Sequence, residues 1–509
     1  MPVSEEAAPL SVTKPPGSFL THLAQDLPNY GLAQIVLFLS GLLVVPVIAH
    51  LFPPNAYGDY VICSSLIDLV VLIIVGWLPS AILRFYPVYE KSGAAGCFVK
   101  WSAGATLYTT LAVAGLGALL LWRMSPFLRQ ELRLMLWLTL PLVVLHGTFS
   151  VISTFLRTMR RVATYAWAQI LYKSIQMAVG IVWVFLVRRQ ISSFFGAWIV
   201  SGVVVNVWIW SNLRSRAHMK PEARVGSIIS GKELFVYGYP LVFTLVFAQL
   251  LLVGDRYVLD ILKNSYAVGL YSLGFLVGQI PQSMVFAPLM SACYPLLMHS
   301  WEHEPAERTG QNLRLIVRYY VLLAMPACAG IWALARPIIA VFGSEAYAQA
   351  SETVPWIAAA FFLSGLAQFV LITAHLTKKT ALHAIAVASS FVLNLSLNFL
   401  LIPHFSYRGS AIALFGSMVF YNLIAWRFCA RLVPLSLPWG SFARITGGAL
   451  VMGVILAFYL RWVGTRATTL SFAFIPVAVA IYFAALIMFG EFSRQEARAL
   501  ESLIPWRRR

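Results

Sequence analysis

Apolar residues run through this chain in fourteen stretches with almost nothing between them. Residues 30–51, 60–83, 97–122, 134–156, 164–187 and 193–213 form a first group of six. Residues 234–253, 268–298, 313–335, 353–375, 381–402 and 409–430 form a second, and 442–462 and 468–489 close the series. Each is near or above the roughly 20 residues a helix needs to cross a bilayer. The hydrocarbon core offers no water to satisfy backbone amides, so each stretch must be helical. The predicted fold class is therefore an all-α polytopic membrane protein of about 14 transmembrane helices. The connectors are too short for a soluble catalytic domain, so function is expected inside the bundle.

Composition agrees. Only 11% of the 509 residues are charged and 60% are hydrophobic, whereas a soluble chain carries about 25% charged residues. Residues 1–29 contain Pro9, Pro15 and Pro16 and no apolar core. No cleavable signal peptide is expected, and the first span should be retained as an anchor. Cys63, Cys97, Cys293, Cys328 and Cys429 all lie within or at the ends of spans. They read as small hydrophobes, with no disulfide or metal expected.

The net charge of +18 would suggest nucleic acid in a soluble protein. Here topology comes first. Of the 37 Lys and Arg, 25 fall on the side of the N-terminus and 11 on the other, with Lys173 alone inside a span. Cytoplasmic loops collect cations, so both termini are expected in the cytoplasm, with an even number of spans. Much of the charge then faces anionic lipid rather than nucleic acid.

The two groups of six resemble each other. Asn55-Ala56-Tyr57-Gly58-Asp59-Tyr60 follows the first span and Tyr266-Ala267-Val268-Gly269-Leu270-Tyr271 the seventh, with Gly and Tyr recurring at an offset of 211. The basic pairs Arg160-Arg161 and Lys378-Lys379 recur at an offset of 218. Two equally oriented repeats related by an axis along the membrane normal are a common transporter plan. The expected organisation is a tail over 1–29, a first lobe over 30–213, a cytoplasmic linker over 214–233, a second lobe over 234–431, two further spans over 432–490 and a basic tail over 491–509.

Several segments resemble one family. Leu51-Phe52-Pro53-Pro54-Asn55-Ala56-Tyr57-Gly58-Asp59-Tyr60 looks like the first loop of the Wzx-type polysaccharide flippases of the multidrug/oligosaccharidyl-lipid/polysaccharide (MOP) superfamily. Tyr237-Gly238-Tyr239-Pro240-Leu241 and Gly254-Asp255-Arg256-Tyr257-Val258-Leu259 resemble their seventh helix, and Gly269-Leu270-Tyr271-Ser272 the start of the eighth. Asn394 to Pro403 followed by Arg408-Gly409-Ser410-Ala411-Ile412-Ala413 resembles the eleventh-to-twelfth junction. The matches keep their order over nearly the whole chain. The resemblance implies a MATE/MurJ-like fold of two six-helix bundles around a central cavity. It also implies movement of polyprenyl-diphosphate-linked oligosaccharide from the inner to the outer leaflet of a bacterial cytoplasmic membrane, for O-antigen, capsule or exopolysaccharide synthesis. The implied partners are the lipid-linked substrate, membrane lipids and a polysaccharide polymerase complex, with the flippase itself a monomer. The last two spans would form a lipid-facing groove, as in MurJ-like relatives.

Charges inside a membrane are costly, about 2.5–3.5 kcal/mol each on insertion scales, and mark candidate sites. Lys173 lies 12 residues beyond Arg161, about 18 Å deep at roughly 1.5 Å per residue. Tyr165, Gln169, Tyr172, Lys173 and Gln176 share a helical face. This polar stripe either lines a cavity and contacts phosphate or forms a structural ion pair. Asp68, eight residues into the second stretch, is either the Lys173 partner or the carrier of a coupling proton or cation. Arg84 and Arg256 sit at predicted helix ends, the latter beside Asp255, and either snorkel to head groups or clamp a diphosphate. His146, Ser150 and Ser153 share a face, as do Gln279 with Gln282, Gln368 with His375 and Asn394 with Asn398. Most such groups hydrogen-bond between helices.

The eighth stretch spans 31 residues, about 46 Å if straight. Pro281, Pro288 and Pro295 recur every seven residues along it, nearly on one face. They predict a bent helix, either a hinge for alternating access or fixed curvature. No Walker A loop, HExxH or paired-cysteine motif occurs, so an enzyme, a cofactor or a metal is not expected. A MATE-type cation-coupled drug antiporter is the first alternative, although its cavity should be acidic. A membrane glycosyltransferase, polymerase or ligase would need a sizeable outer loop, and a non-transporting structural protein would not need Lys173.

Overall fold

The computed structural model describes residues 44–492, apart from 128, 160, 188, 217–230, 435 and 464–467. The N-terminal tail, most of the first span, Arg160, most of the 214–233 linker and nearly all of the basic C-terminal tail lie outside the described residues. Every regular element described is helical: α1 (Val44–Leu51), α2 (Pro54–Val75), α3 (Trp77–Lys91), α4 (Ala95–Met124), α5 (Gln130–Thr158), α6 (Val162–Leu186), α7 (Ser193–Arg216), α8 (Gly231–Leu262), α9 (Ser265–Gly278), α10 (Ala287–His303), α11 (Ala306–Ala333), α12 (Ala335–Phe342), α13 (Val354–Leu376), α14 (Ala381–Cys429), α15 (Trp439–Val463), α16 (Thr468–Ala473) and α17 (Ile475–Met488). Twelve helices among the described residues are long and apolar enough to cross a membrane. One of them, α14, is two spans in series. It folds back at Ser406, where φ is 52° and ψ is −133°. Asn394 then reaches Ser417 at 3.4 Å.

The breaks follow backbone chemistry. Helices α2 and α3 form one long span broken at Gly76, within the turn that Pro79 deprives of a donor. The eighth span runs over Ser265–His303. Helices α9 and α10 are joined there by a π-helical turn, Gln282–Phe286, lying between Pro281 and Pro288. The regular α-helix of the proline-bearing span is thus interrupted between two of its prolines. The shared proline face is not kept, because Pro281 and Pro288 are buried whereas Pro295 is exposed. The connector after α11 is longer than expected and holds α12 and a 3-10 turn, Glu345–Glu352. There Tyr347 donates to the Phe52 carbonyl at 3.1 Å, and the Ser344 amide to the Ala49 carbonyl at 3.2 Å.

Helices α3 to α7 pack mainly on one another and on α2, as do α8 to α14 among themselves, while α2 packs chiefly on α8 and α9, and α15 to α17 lean on α11. The two halves meet where α2 crosses α9. A Cβ on Gly58 would stand 1.9 Å from the Ser265 carbonyl oxygen, and one on Gly269 would stand 2.0 Å from that of Pro54. Each glycine faces the carbonyl four residues before the other glycine, so the crossing has local two-fold symmetry. These are the glycines of the sequence repeat. Next to them Arg129 donates to Asp59 Oδ1 at 3.0 Å and to Ser265 Oγ at 2.8 Å. The halves also touch along α3, from its first residue onward. The Gly238 Cβ position lies 2.5 Å from the Trp77 carbonyl, and Phe85 packs edge-on to Tyr237 at 5.1 Å.

Alanine at either crossing glycine must push the helices apart, with an expected cost of about 1–3 kcal/mol. Gly58→Ala with Gly269→Ala should cost less than the sum of the two, because both open the same contact. Thermal unfolding in detergent measures this. Gly104→Ala, in open space, should be near neutral.

Candidate functional site: a charged cluster in the first half

Helix α2 begins at Pro54, earlier than the hydropathy suggested. Asp68 is therefore 14 residues from that end, about 21 Å at roughly 1.5 Å per residue. Its side chain is 48% exposed, and its partner is His146 on α5, with Nε2 to Oδ1 at 3.4 Å. The other imidazole nitrogen, Nδ1, is 3.4 Å from the Tyr172 hydroxyl. That hydroxyl accepts from Trp198 Nε1 at 2.8 Å, and the Tyr172 ring stacks on Phe149 at 4.2 Å. Four helices, α2, α5, α6 and α7, thus converge on one polar chain.

Lys173 is the next residue on α6. Its ammonium lies over the Trp198 ring at 5.7 Å, near enough to Asp68 for that charge to act on it. No hydrogen bond or ion pair within 4.0 Å to Lys173 occurs among the described residues. The expected direct pair of Asp68 with Lys173 is replaced by Asp68 with His146. The imidazole, projecting from α5, fills the space between the two charges. Gln176, one turn further on, is 2% exposed. Its side chain reaches Tyr60, and its Oε1 has no partner. Gln169 is half-buried and Arg84 is exposed on α3, well separated in sequence from the cluster.

Asp255 and Arg256 lie elsewhere than expected. Helix α8 continues to Leu262, so both sit inside the helix rather than at its outer end. Asp255 is fully buried. It accepts from the Tyr271 hydroxyl at 2.6 Å and from Asn398 Nδ2 at 2.7 Å, joining α8, α9 and α14. Arg256 is 7% exposed. It donates to the Leu252 carbonyl at 2.7 Å and towards Ser272 at 3.3 Å, with its guanidinium 4.4 Å from the centre of the Phe275 ring. These contacts give Arg256 a bracing position within the second half. Tyr257, the next residue, meets Ser65 of α2 at 3.0 Å and ties the halves beside the cluster. His146 was visible in the sequence as part of a polar face. Trp198 carried no signal, because an aromatic inside an apolar stretch looks like any other core residue, and Tyr60 and Tyr257 stood out only as members of the repeat and of the family segments.

On the flank, α11, α12, α15, α16 and α17 enclose an apolar groove of about 730 Å³, lined by Leu322, Pro326, Ile331, Met452, Phe472 and Tyr482 among others.

Twelve described helices long and apolar enough to cross a membrane, arranged in two halves with a charged cluster inside the first and a groove on the flank, define a multi-pass membrane protein. The sequence profile of the polysaccharide biosynthesis protein family matches residues 23–301, and the chain belongs to that family. Its fold is similar to that of the lipid II flippase MurJ in an inward closed conformation. The TM-score is 0.72 at 15% identity, covering 91% of this chain and 97% of the other. It is also similar to an inward-facing MATE multidrug transporter of the MOP superfamily, with a TM-score of 0.61 at 13% identity over 80% and 95%. A MOP superfamily transporter from Pyrococcus furiosus gives 0.55 at 13% identity over 80% and 92%. No protein of curated function matches the sequence.

Removing the Asp255 carboxylate leaves Tyr271 and Asn398 without their buried acceptor, which costs about 1–3 kcal/mol. Asp255→Ala should therefore lower the melting temperature of the purified protein clearly, and Asp255→Asn less, since an amide oxygen still accepts. Equal melting of wild type and Asp255→Ala would contradict the bracing role.

Proposed function

We propose that this protein is a flippase that carries polyprenyl-diphosphate-linked oligosaccharide from the inner to the outer leaflet of the cytoplasmic membrane for polysaccharide synthesis. The observation that carries the reading is Lys173, a cation within an apolar span that lies over the Trp198 ring and has no hydrogen bond or ion pair within 4.0 Å among the described residues. A cation costs free energy there, and an anionic head group passing between the halves would offset that cost. Its compact ammonium suits a phosphate oxygen. Gln169 and Gln176 on the same helix supply amides for sugar hydroxyls, and Arg84 on exposed α3 meets the diphosphate near the cytoplasmic mouth. Arg256 acts from its braced position by adding positive potential rather than by direct clamping.

The halves, residues 30–213 and 234–431, rock about the α2/α9 crossing, with the π turn between Pro281 and Pro288 as the bending point and Pro295 on the outside of the bend. The asymmetry of basic residues supports cytoplasmic termini, which puts the Asp59 end at the outer leaflet. Family membership and the transporter fold support this reading over an enzyme. Asp68 with His146 forms a carboxylate–imidazole couple suited to a coupling proton, which a cation-coupled antiporter would also use.

Lys173→Ala should reduce surface polysaccharide at least tenfold while membrane abundance stays normal, and Lys173→Arg should retain part of the export. Immunoblotting and polymer quantification in a complemented deletion strain measure both. Normal export by Lys173→Ala would contradict the assignment.

A further inference from the structure

A second polar feature lies away from the central cluster. A pocket of about 450 Å³ is formed by the start of α11, the start of α15 and the residues just after α17. Gln311, Arg314, Arg318, Ser441, Arg444 and Glu491 supply its polar lining. Glu491 is the brace. Its side chain is fully buried, accepting from Arg318 Nε at 2.7 Å and from Arg444 Nε at 2.7 Å. Arg318 also donates to the Glu491 carbonyl at 2.8 Å. Burial pushes this carboxyl up, and the hydrogen bonds from Arg318 and Arg444 more than reverse it, holding it below the usual carboxylate range. Three arginines against one carboxylate leave an excess of two positive charges in the pocket. Arg314 and Arg444 are exposed at its rim. Among the described residues Arg314 reaches only Ser436, at 3.2 Å, and the Arg444 Nη2 contact to Ser441 is long at 3.5 Å. Both guanidinium groups therefore keep donors for an anion.

The apolar groove begins one helical turn away, since Arg318 is followed by Leu322 on the same helix. Pocket and groove share α11, α15 and the α17 region and open on the flank of the bundle, apart from the Lys173 cluster. A charged head and an apolar tail are thus accommodated side by side, which a soluble anion would not use. The pocket also lies on the side of the bundle richest in Lys and Arg, where the leaflet is anionic.

We propose that this pocket is a binding site for the phosphate head group of an anionic phospholipid whose acyl chain enters the adjoining groove. Arg314 and Arg444 contact the phosphate, while Arg318 and Glu491 position Arg444. The bound lipid ties α15 and α17 to α11. The site is independent of the transport reading and stands or falls separately from it.

The test is native mass spectrometry of the full chain in detergent with phosphatidylglycerol or phosphatidylcholine added. The wild type should retain one phosphatidylglycerol in preference to phosphatidylcholine. Arg314→Gln with Arg444→Gln should weaken that retention roughly tenfold or more, at about fivefold per interfacial arginine. Lys378→Gln with Lys379→Gln removes the same charge from another turn on that side and should change nothing. Arg314→Gln alone, which loses only the Ser436 contact, serves if the double variant fails to fold. Unchanged retention in the arginine variants, or an equal loss in the lysine variant, overturns the site. Displacement by equimolar inorganic phosphate or by polyprenyl phosphate overturns the assigned occupant.

Discussion

Where α2 crosses α9, two hydrogens fill the space that two methyl groups would need. Gly58 and Gly269 each bring a helix backbone against the carbonyl of residue Ser265 or Pro54. Lipid tails supply no hydrophobic drive between helices, so close packing of small residues carries much of the association. That crossing sets the approach of the halves, and the Asp59, Ser265 and Arg129 hydrogen bonds form beside it. Two turns further along α2 the same approach brings Ser65 to Tyr257. Further along α2, Asp68 faces His146 of α5, within the first half.

Charges inside the bundle divide into two kinds. Asp255 and Arg256 are enclosed by Tyr271, Asn398, Ser272 and Phe275, and they stabilise helix positions. Lys173 and Asp68 are less enclosed: one lies over Trp198, the other is about half exposed. A group whose partners are already complete has little to offer a passing ligand. One with an open coordination sphere can exchange partners, and this difference separates the bracing residues from the proposed transport residues.

Much of the fold could be read from the chain, because the bilayer imposes helices on apolar stretches of this length. The existence and order of the spans and the Gly-Tyr repeat have simple physical signatures. Helix ends were less legible. Hydropathy stops at the first charge, so α8 appeared to end at Asp255 when it continues to Leu262. Partners were the least legible. Which residue meets Asp68 depends on the rotation of α5 against α2, and nothing in the local sequence reports it. The extra helix α12 was hidden because a short amphipathic segment resembles any connector.

The central claim is that the chain itself moves a lipid-linked anionic oligosaccharide between leaflets. The most direct measurement is the transbilayer movement of a labelled polyprenyl-diphosphate oligosaccharide in liposomes containing only the purified protein. The account predicts acceleration over protein-free liposomes, suppressed by excess unlabelled substrate and lost when Lys173 is replaced by Ala. Movement no faster than in protein-free liposomes, or unaffected by that replacement, would contradict it.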